Sequence, residues 1–69
     1  MKPVSGAALA RAVERRGWTL LRVNGSHHIY GKTGEVARLS IPIHGAKKLK
    51  LGLQRSLMKT AGLAEGDLG

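Results

Sequence analysis

Three histidines, a serine and a short run of lysines are the side chains of this 69-residue sequence that could do chemistry. His27 and His28 follow directly on Asn24-Gly25-Ser26, a tight-turn sequence in which glycine supplies backbone freedom that a side chain would forbid. A histidine placed just after such a turn stands at the rim of a sheet, within reach of water and ligand. Its imidazole, with a pKa near 6.5, can take or give a proton at neutral pH. Adjacent residues of a strand point to opposite faces, so His27 and His28 do not make a natural acid–base pair. Gly25 and Ser26 are candidates for positioning either a phosphate or the histidine. His44 lies in a second polar stretch, His44-Gly45-Ala46-Lys47-Lys48-Leu49-Lys50, and becomes a second acid–base group only if that loop folds back. Lys47, Lys48 and Lys50, with Arg22 just before the turn, are candidate phosphate contacts, and a solvated loop is the competing reading of the lysines.

These groups suit a substrate that brings its own nucleophile. RNA does so through its 2′-hydroxyl, so its cleavage needs proton transfer and stabilisation of added negative charge, which histidine and lysine or arginine supply. A metal is not called for. The two adjacent histidines diverge, and the four carboxylates, Glu14, Glu35, Glu65 and Asp67, are not spaced with the histidines as ligands. No other cofactor is implied.

Composition agrees with a polyanionic partner. Twelve Lys and Arg against four acids give a formal charge of +8, which points first to nucleic acid and next to an acidic protein or membrane surface. Trp18 and Tyr30 are the only aromatic residues, too few for a platform that stacks single-stranded bases. Without cysteine there is no disulfide framework or thiolate site. No apolar run reaches the ~20 residues that span a bilayer, and the start lacks a signal-peptide core, so a cytoplasmic protein is expected. The length suits one domain over residues 1–69, with residues 1–4 and 64–69 fraying.

The elements that must position these groups are legible in the same way. Ser5 is a plausible N-cap of a first helix, with Val4 and Leu9 at the spacing of a hydrophobic staple and Gly17 as its C′ residue. Trp18 to Val23 has strand content, with Trp18, Leu20 and Arg22 on one face and Leu21 and Val23 on the other. His27 to Tyr30 is a second strand. Gly31-Lys32-Thr33-Gly34 is a hairpin connection, and Glu35 to Ile41 is a third strand that Pro42 stops. Gly52 to Ala61 is a second helix with Leu53, Leu57 and Ala61 as its buried stripe beside Met58. Gly62 caps its end, with Leu63 as the accompanying hydrophobic contact. The resulting fold class is α+β: an α-β-β-β-α order, a three-stranded antiparallel sheet with both helices on one face, as in the double-stranded RNA-binding domain. The other sheet face is left open.

Several blocks, in order, then carry a resemblance. Gly17-Trp18, Arg22-Val23, Gly25-Ser26-His27-His28, Ile41-Pro42 with His44-Gly45, and Leu49-Lys50 through Lys59-Thr60-Ala61-Gly62-Leu63 together resemble the HicA toxin family from about residue 5 to residue 63. The resemblance implies a small endoribonuclease toxin that cleaves messenger RNA, has a double-stranded RNA-binding-like fold and is neutralised by a HicB antitoxin. It selects the first histidine after Gly-Ser, His27, as catalytic, which leaves His28 and His44 as accessory candidates. The sequence departs from the family at Tyr30, often Phe, at Leu53-Gln54, usually Thr-Leu, and in its tail. Two other functions fit the same residues: an RNA-binding module without catalysis, and a subunit that binds an antitoxin without nuclease activity. Assembly as a homodimer or as a toxin–antitoxin hetero-oligomer is equally open.

Overall fold

The first helix starts where its capping chemistry dictates. In the computed structural model, which describes residues 1–68, α1 spans Gly6–Arg15, and the Ser5 hydroxyl accepts from the Ala8 N–H at 3.1 Å. Its end is a Schellman motif: Gly17, at φ +93°, donates to Glu14, and Trp18 donates to Val13. That motif turns Trp18 back under the helix, where it is buried and its Nε1–H reaches the Ala61 carbonyl at 3.4 Å.

Three strands follow: β1 (Thr19–Asn24), β2 (His27–Gly31) and β3 (Leu39–Pro42), an antiparallel sheet in the order β1-β2-β3. The order α-β-β-β-α is completed by α2 (Leu51–Ala61). This is the α+β, double-stranded RNA-binding-domain-like architecture. Leu9, Ala10 and Val13 of α1 and Leu57, Met58 and Ala61 of α2 close over Tyr30, Leu39 and Ile41, so one sheet face is core and the other is open.

Three sequence expectations shift. The third strand begins at Leu39 rather than Glu35. The carbonyls of Glu35, Val36 and Ala37 accept instead from Arg38 Nη1 at 3.1, 3.4 and 3.3 Å, which satisfies them outside the ladder and leaves Val36 fully in solvent. In β1 the register slips between Leu20 and Arg22, a β-bulge that returns Val23 to the helix-side face and puts Arg22 opposite Ile29 on the open face. In α2 Leu53 is 40% exposed, and the buried position of that turn belongs to Gln54, at 0%. Gln54 is a tie rather than a filler: its Oε1 accepts from the Val4 N–H at 2.8 Å and its Nε2 donates to the Lys2 carbonyl at 3.0 Å.

The ends also have partners. Leu49 N–H donates to the Val4 carbonyl, and the terminal amine lies 3.4 Å from Glu65. Glu65–Leu68 forms one 3₁₀ turn, with Leu68 against the core, where fraying was expected. Arg16 pairs with Asp67 and Arg15 donates to the Asp67 carbonyl at 2.8 Å. The Ala64 N–H, and after it Arg16, hold the Asp67 carboxyl below its ordinary range. Gly69, the last residue of that expected tail, lies outside the described residues. α2 ends as the sequence indicates, with Gly62 at φ +74°, Gly62 donating to Lys59 and Leu63 to Met58.

Candidate functional site

The turn that presents the histidines is tighter by one residue than the sequence suggests. Asn24 pairs with His27 as the last rung of the β1–β2 ladder, so Gly25 and Ser26 form the whole loop. Gly25 is at φ +63° and no non-glycine residue among the described residues has positive φ, the pattern of a two-residue turn with glycine first. Ser26 is half-buried and its carbonyl accepts the Ile43 N–H at 2.9 Å. That bond fastens the chain leaving β3 to the turn, and with it the loop that carries His44 and the lysines.

The strand alternation separates the two histidines as expected. His28 shares the helix-side face with Tyr30, sits between Val23 and Ile41 and is half-buried, its Nδ1 3.4 Å from the Ser26 carbonyl. His27 is exposed on the open face, with Nδ1 3.1 Å from Ser40 Oγ. Register explains this contact: His27 opposes Pro42 and Ile29 opposes Ser40, so Ser40 is the diagonal neighbour of His27 across β2 and β3. Two rows thus cross the open face, Asn24–His27–Pro42 and Arg22–Ile29–Ser40. Arg22 is brought to the site face by the bulge, one row from His27.

The lysine loop meets the site at its β3 end. A groove of about 200 Å³ runs from Pro42, the residue opposite His27, past His44, Lys47, Lys48 and Lys50 to Leu53. The exposure of Leu53, which the core reading of α2 did not foresee, belongs to this groove. The loop is held by the Ser5–Lys48 bridge and by the bond from Leu49 to Val4. α1 braces the same corner. A Cβ on Gly6 would collide with the Pro42 carbonyl, so glycine there permits the backbones to touch just behind the site. No hydrogen bond joins His44 to His27 among the described residues, although both border the Pro42 end.

The field over this face is positive. Among the described residues the only ion pairs are Arg16 with Asp67 and the terminal amine with Glu65, so Arg22, Lys47, Lys48 and Lys50 keep unneutralised charge. Glu14 is engaged elsewhere, accepting from the Tyr30 hydroxyl at 2.9 Å on the helix side. Burial, and then the neighbouring Glu14, push the Tyr30 phenol up to about 12. No three His, Cys, Asp or Glu side chains gather as a metal site among the described residues.

Comparison with known families decides the affiliation. The family model described as the HicA toxin of bacterial toxin–antitoxin systems matches residues 6–63. The chain belongs to the HicA toxin family. It is accordingly a toxin of a toxin–antitoxin system, and membership implies a HicB-type antitoxin as its partner. The match covers both helices, all three strands and every candidate site residue. No curated protein matches the sequence. None of the helices among the described residues is long and apolar enough to cross a membrane.

Sequence reasoning missed Ser40 and Gly6. Ser40 had a signal, since it alternates with the buried Leu39 and Ile41 and so faces away from the core. Only the strand register adds that His27 is beside it. Gly6 had none, because its close contact is with a residue far along the chain.

Proposed function

We propose that this HicA toxin is a metal-independent endoribonuclease acting on messenger RNA, with His27 as its acid–base group. The observation that carries the reading is the exposed His27 ring held by Ser40 on an open, cationic sheet face. In the tautomer that donates Nδ1–H to Ser40 Oγ, the lone pair of Nε2 faces solvent and is free to take a proton. Nε2 then removes the proton of the 2′-hydroxyl next to the scissile phosphate. The 2′-oxygen attacks phosphorus, the bond from phosphorus to the 5′-oxygen breaks, and that oxygen leaves with a proton returned by the imidazolium. The products are a 2′,3′-cyclic phosphate and a 5′-hydroxyl.

The cations divide the remaining work. Arg22, one row away on the same face, and the Lys47–Lys50 loop, beyond Pro42, offset the charge that builds on the phosphate. Gly25 and Ser26 fix where His27 leaves the turn. Ser40 is a positioning residue, and His28 supports the turn from the other face. The cytoplasm, where messenger RNA and a partner antitoxin meet, is the compartment this activity requires.

The test is cleavage of messenger RNA by purified protein in excess chelator, with fragment ends read by mass spectrometry. Cyclic phosphate ends are the expected result. Intact RNA, or fragments carrying 5′-phosphates, would overturn the reading.

A further inference from the structure

The open face holds a second feature, one that neither the histidine nor the lysine loop uses. Where β2 ends, Gly31 takes its place in the same alternation as His27 and Ile29, and it opposes Thr19 of β1. Its missing side chain leaves a depression of about 260 Å³, lined by Thr19, Leu21, Gly31, Lys32, Thr33 and Arg38. The depression is shaped by its walls. A Cβ on Gly31 would meet Leu21 Cδ1 at 2.8 Å and Arg38 Nε at 3.3 Å, so both side chains lean over the glycine, one from β1 and one from the segment just before β3.

Arg38 is the unusual wall. Its Nη1 is tied to the carbonyls of Glu35, Val36 and Ala37, no carboxylate pairs with it among the described residues, and Nε lies over the glycine floor. A guanidinium anchored on one side keeps its remaining donors pre-organised, so a ligand that accepts from it loses little side-chain entropy. Thr19 and Thr33 add hydroxyls, while Lys32 borders the depression with its ammonium turned towards Gly17. This is the donor set of a phosphate site, on the face that carries His27.

We propose that the Gly31 depression is a second RNA contact, holding through Arg38 a phosphate of the strand whose scissile bond lies at His27. Gly31 is four residues from His27 along β2, roughly 13 Å at about 3.3 Å per residue. At the ~3.4 Å rise of a stacked strand that is about four nucleotides, and fewer for an extended one. The toxin then reads a run of several nucleotides, and a substrate too short to reach Arg38 forfeits this contact. Continuity with the His27 face favours RNA over an acidic segment of the antitoxin as occupant.

The inference rests on the ribonuclease reading, and its test separates the two. kcat/KM is measured on a dodecanucleotide and on a dinucleotide for the wild type, Arg38→Ala and Lys32→Ala, with thermal unfolding as a fold control. The wild type should favour the longer RNA. Arg38→Ala should reduce that preference by about tenfold, the value of one charged hydrogen bond, and Lys32→Ala by less. In the slow-cleaving His27→Ala background, Arg38→Ala should also lower the salt slope of RNA binding by about 0.7, the loss of one phosphate contact on a single strand. Gly31→Ala, whose methyl would press on Leu21 and on the Arg38 guanidinium, should weaken the preference as well. An unchanged length preference and salt slope in folded Arg38→Ala overturns the proposal, as does a loss confined to antitoxin binding. A wild type that cleaves neither RNA refutes the ribonuclease reading instead.

Discussion

His27 and His28 are neighbours in sequence, yet the two faces of the sheet give them different surroundings. On the helix side His28 stands beside Tyr30 and Ile41, half-buried, with a backbone carbonyl near its ring. On the open side His27 has solvent, one hydroxyl and a field of unpaired cations. A ring that must meet a substrate needs access together with a partner that orients it, and His27 has both on the open face. The same contrast runs through the sheet. Its covered face carries Leu39, Ile41 and a tyrosine whose hydroxyl is committed to Glu14. Its open face carries the His27–Ser40 pair and Arg22, a cation without a carboxylate partner among the described residues.

Substitutions on the two faces should therefore fail in different ways. The largest effect expected is on rate: His27→Ala should lower RNA cleavage by ~10²–10⁴-fold, or about 3–5 kcal/mol, with the unfolding midpoint unchanged. Next is Gly6→Val, behind the site, where the new side chain must displace the Pro42 backbone. A loss of about 3 kcal/mol in urea unfolding is expected, and a loss under about 1 kcal/mol would mean that α1 can shift away from β3. Gln54→Leu leaves the Val4 N–H and the Lys2 carbonyl without their partner, at about 2 kcal/mol, and should speed proteolysis of the first residues.

Smaller effects sharpen the contrast. Ser40→Ala should slow cleavage by about tenfold and alter the pH–rate profile while RNA affinity holds, and Ser40→Thr should restore the rate. Equal rates and profiles for the alanine variant would show that the turn alone orients His27. Tyr30→Phe should cost about 1 kcal/mol without touching the rate. Its pH signature has a definite sign. The phenol titrates near 10.0 when unfolded and at about 12 in the fold, so its stabilisation is complete below pH 10.0 and is lost as pH rises towards about 12. The wild type should weaken across that window, and the phenylalanine variant should lack this part of the decline.

What the sequence made legible was local chemistry. The Ser5 cap, the glycines that end both helices, the strand–turn–strand around Gly25 and the divergence of the two histidines all follow from nearest neighbours, and all appear. What it hid was pairing at a distance. Leu53 fits an i, i+4, i+8 stripe as well as any core residue, and nothing near it reveals that Gln54 is claimed by backbone groups some fifty positions upstream. Glu35 to Arg38 has acceptable strand content, but Arg38 satisfies its carbonyls before a ladder can. The bulge that moves Arg22 to the site face has no signature in Leu20-Leu21-Arg22. At the site, His27 and the lysine loop were visible from residue type and spacing, whereas Ser40 and the Gly31 depression required the register of three strands.

The central claim is that face, and not residue type, separates the two histidines. The direct measurement is messenger RNA cleavage in chelator by wild type, His27→Ala and His28→Ala, each shown to be folded. The wild type and His28→Ala should cleave, with His28→Ala showing at most a lower unfolding midpoint, and His27→Ala should cleave ~10²–10⁴-fold more slowly. Cleavage by His27→Ala at the wild-type rate, or its loss in a fully folded His28→Ala, would contradict the assignment.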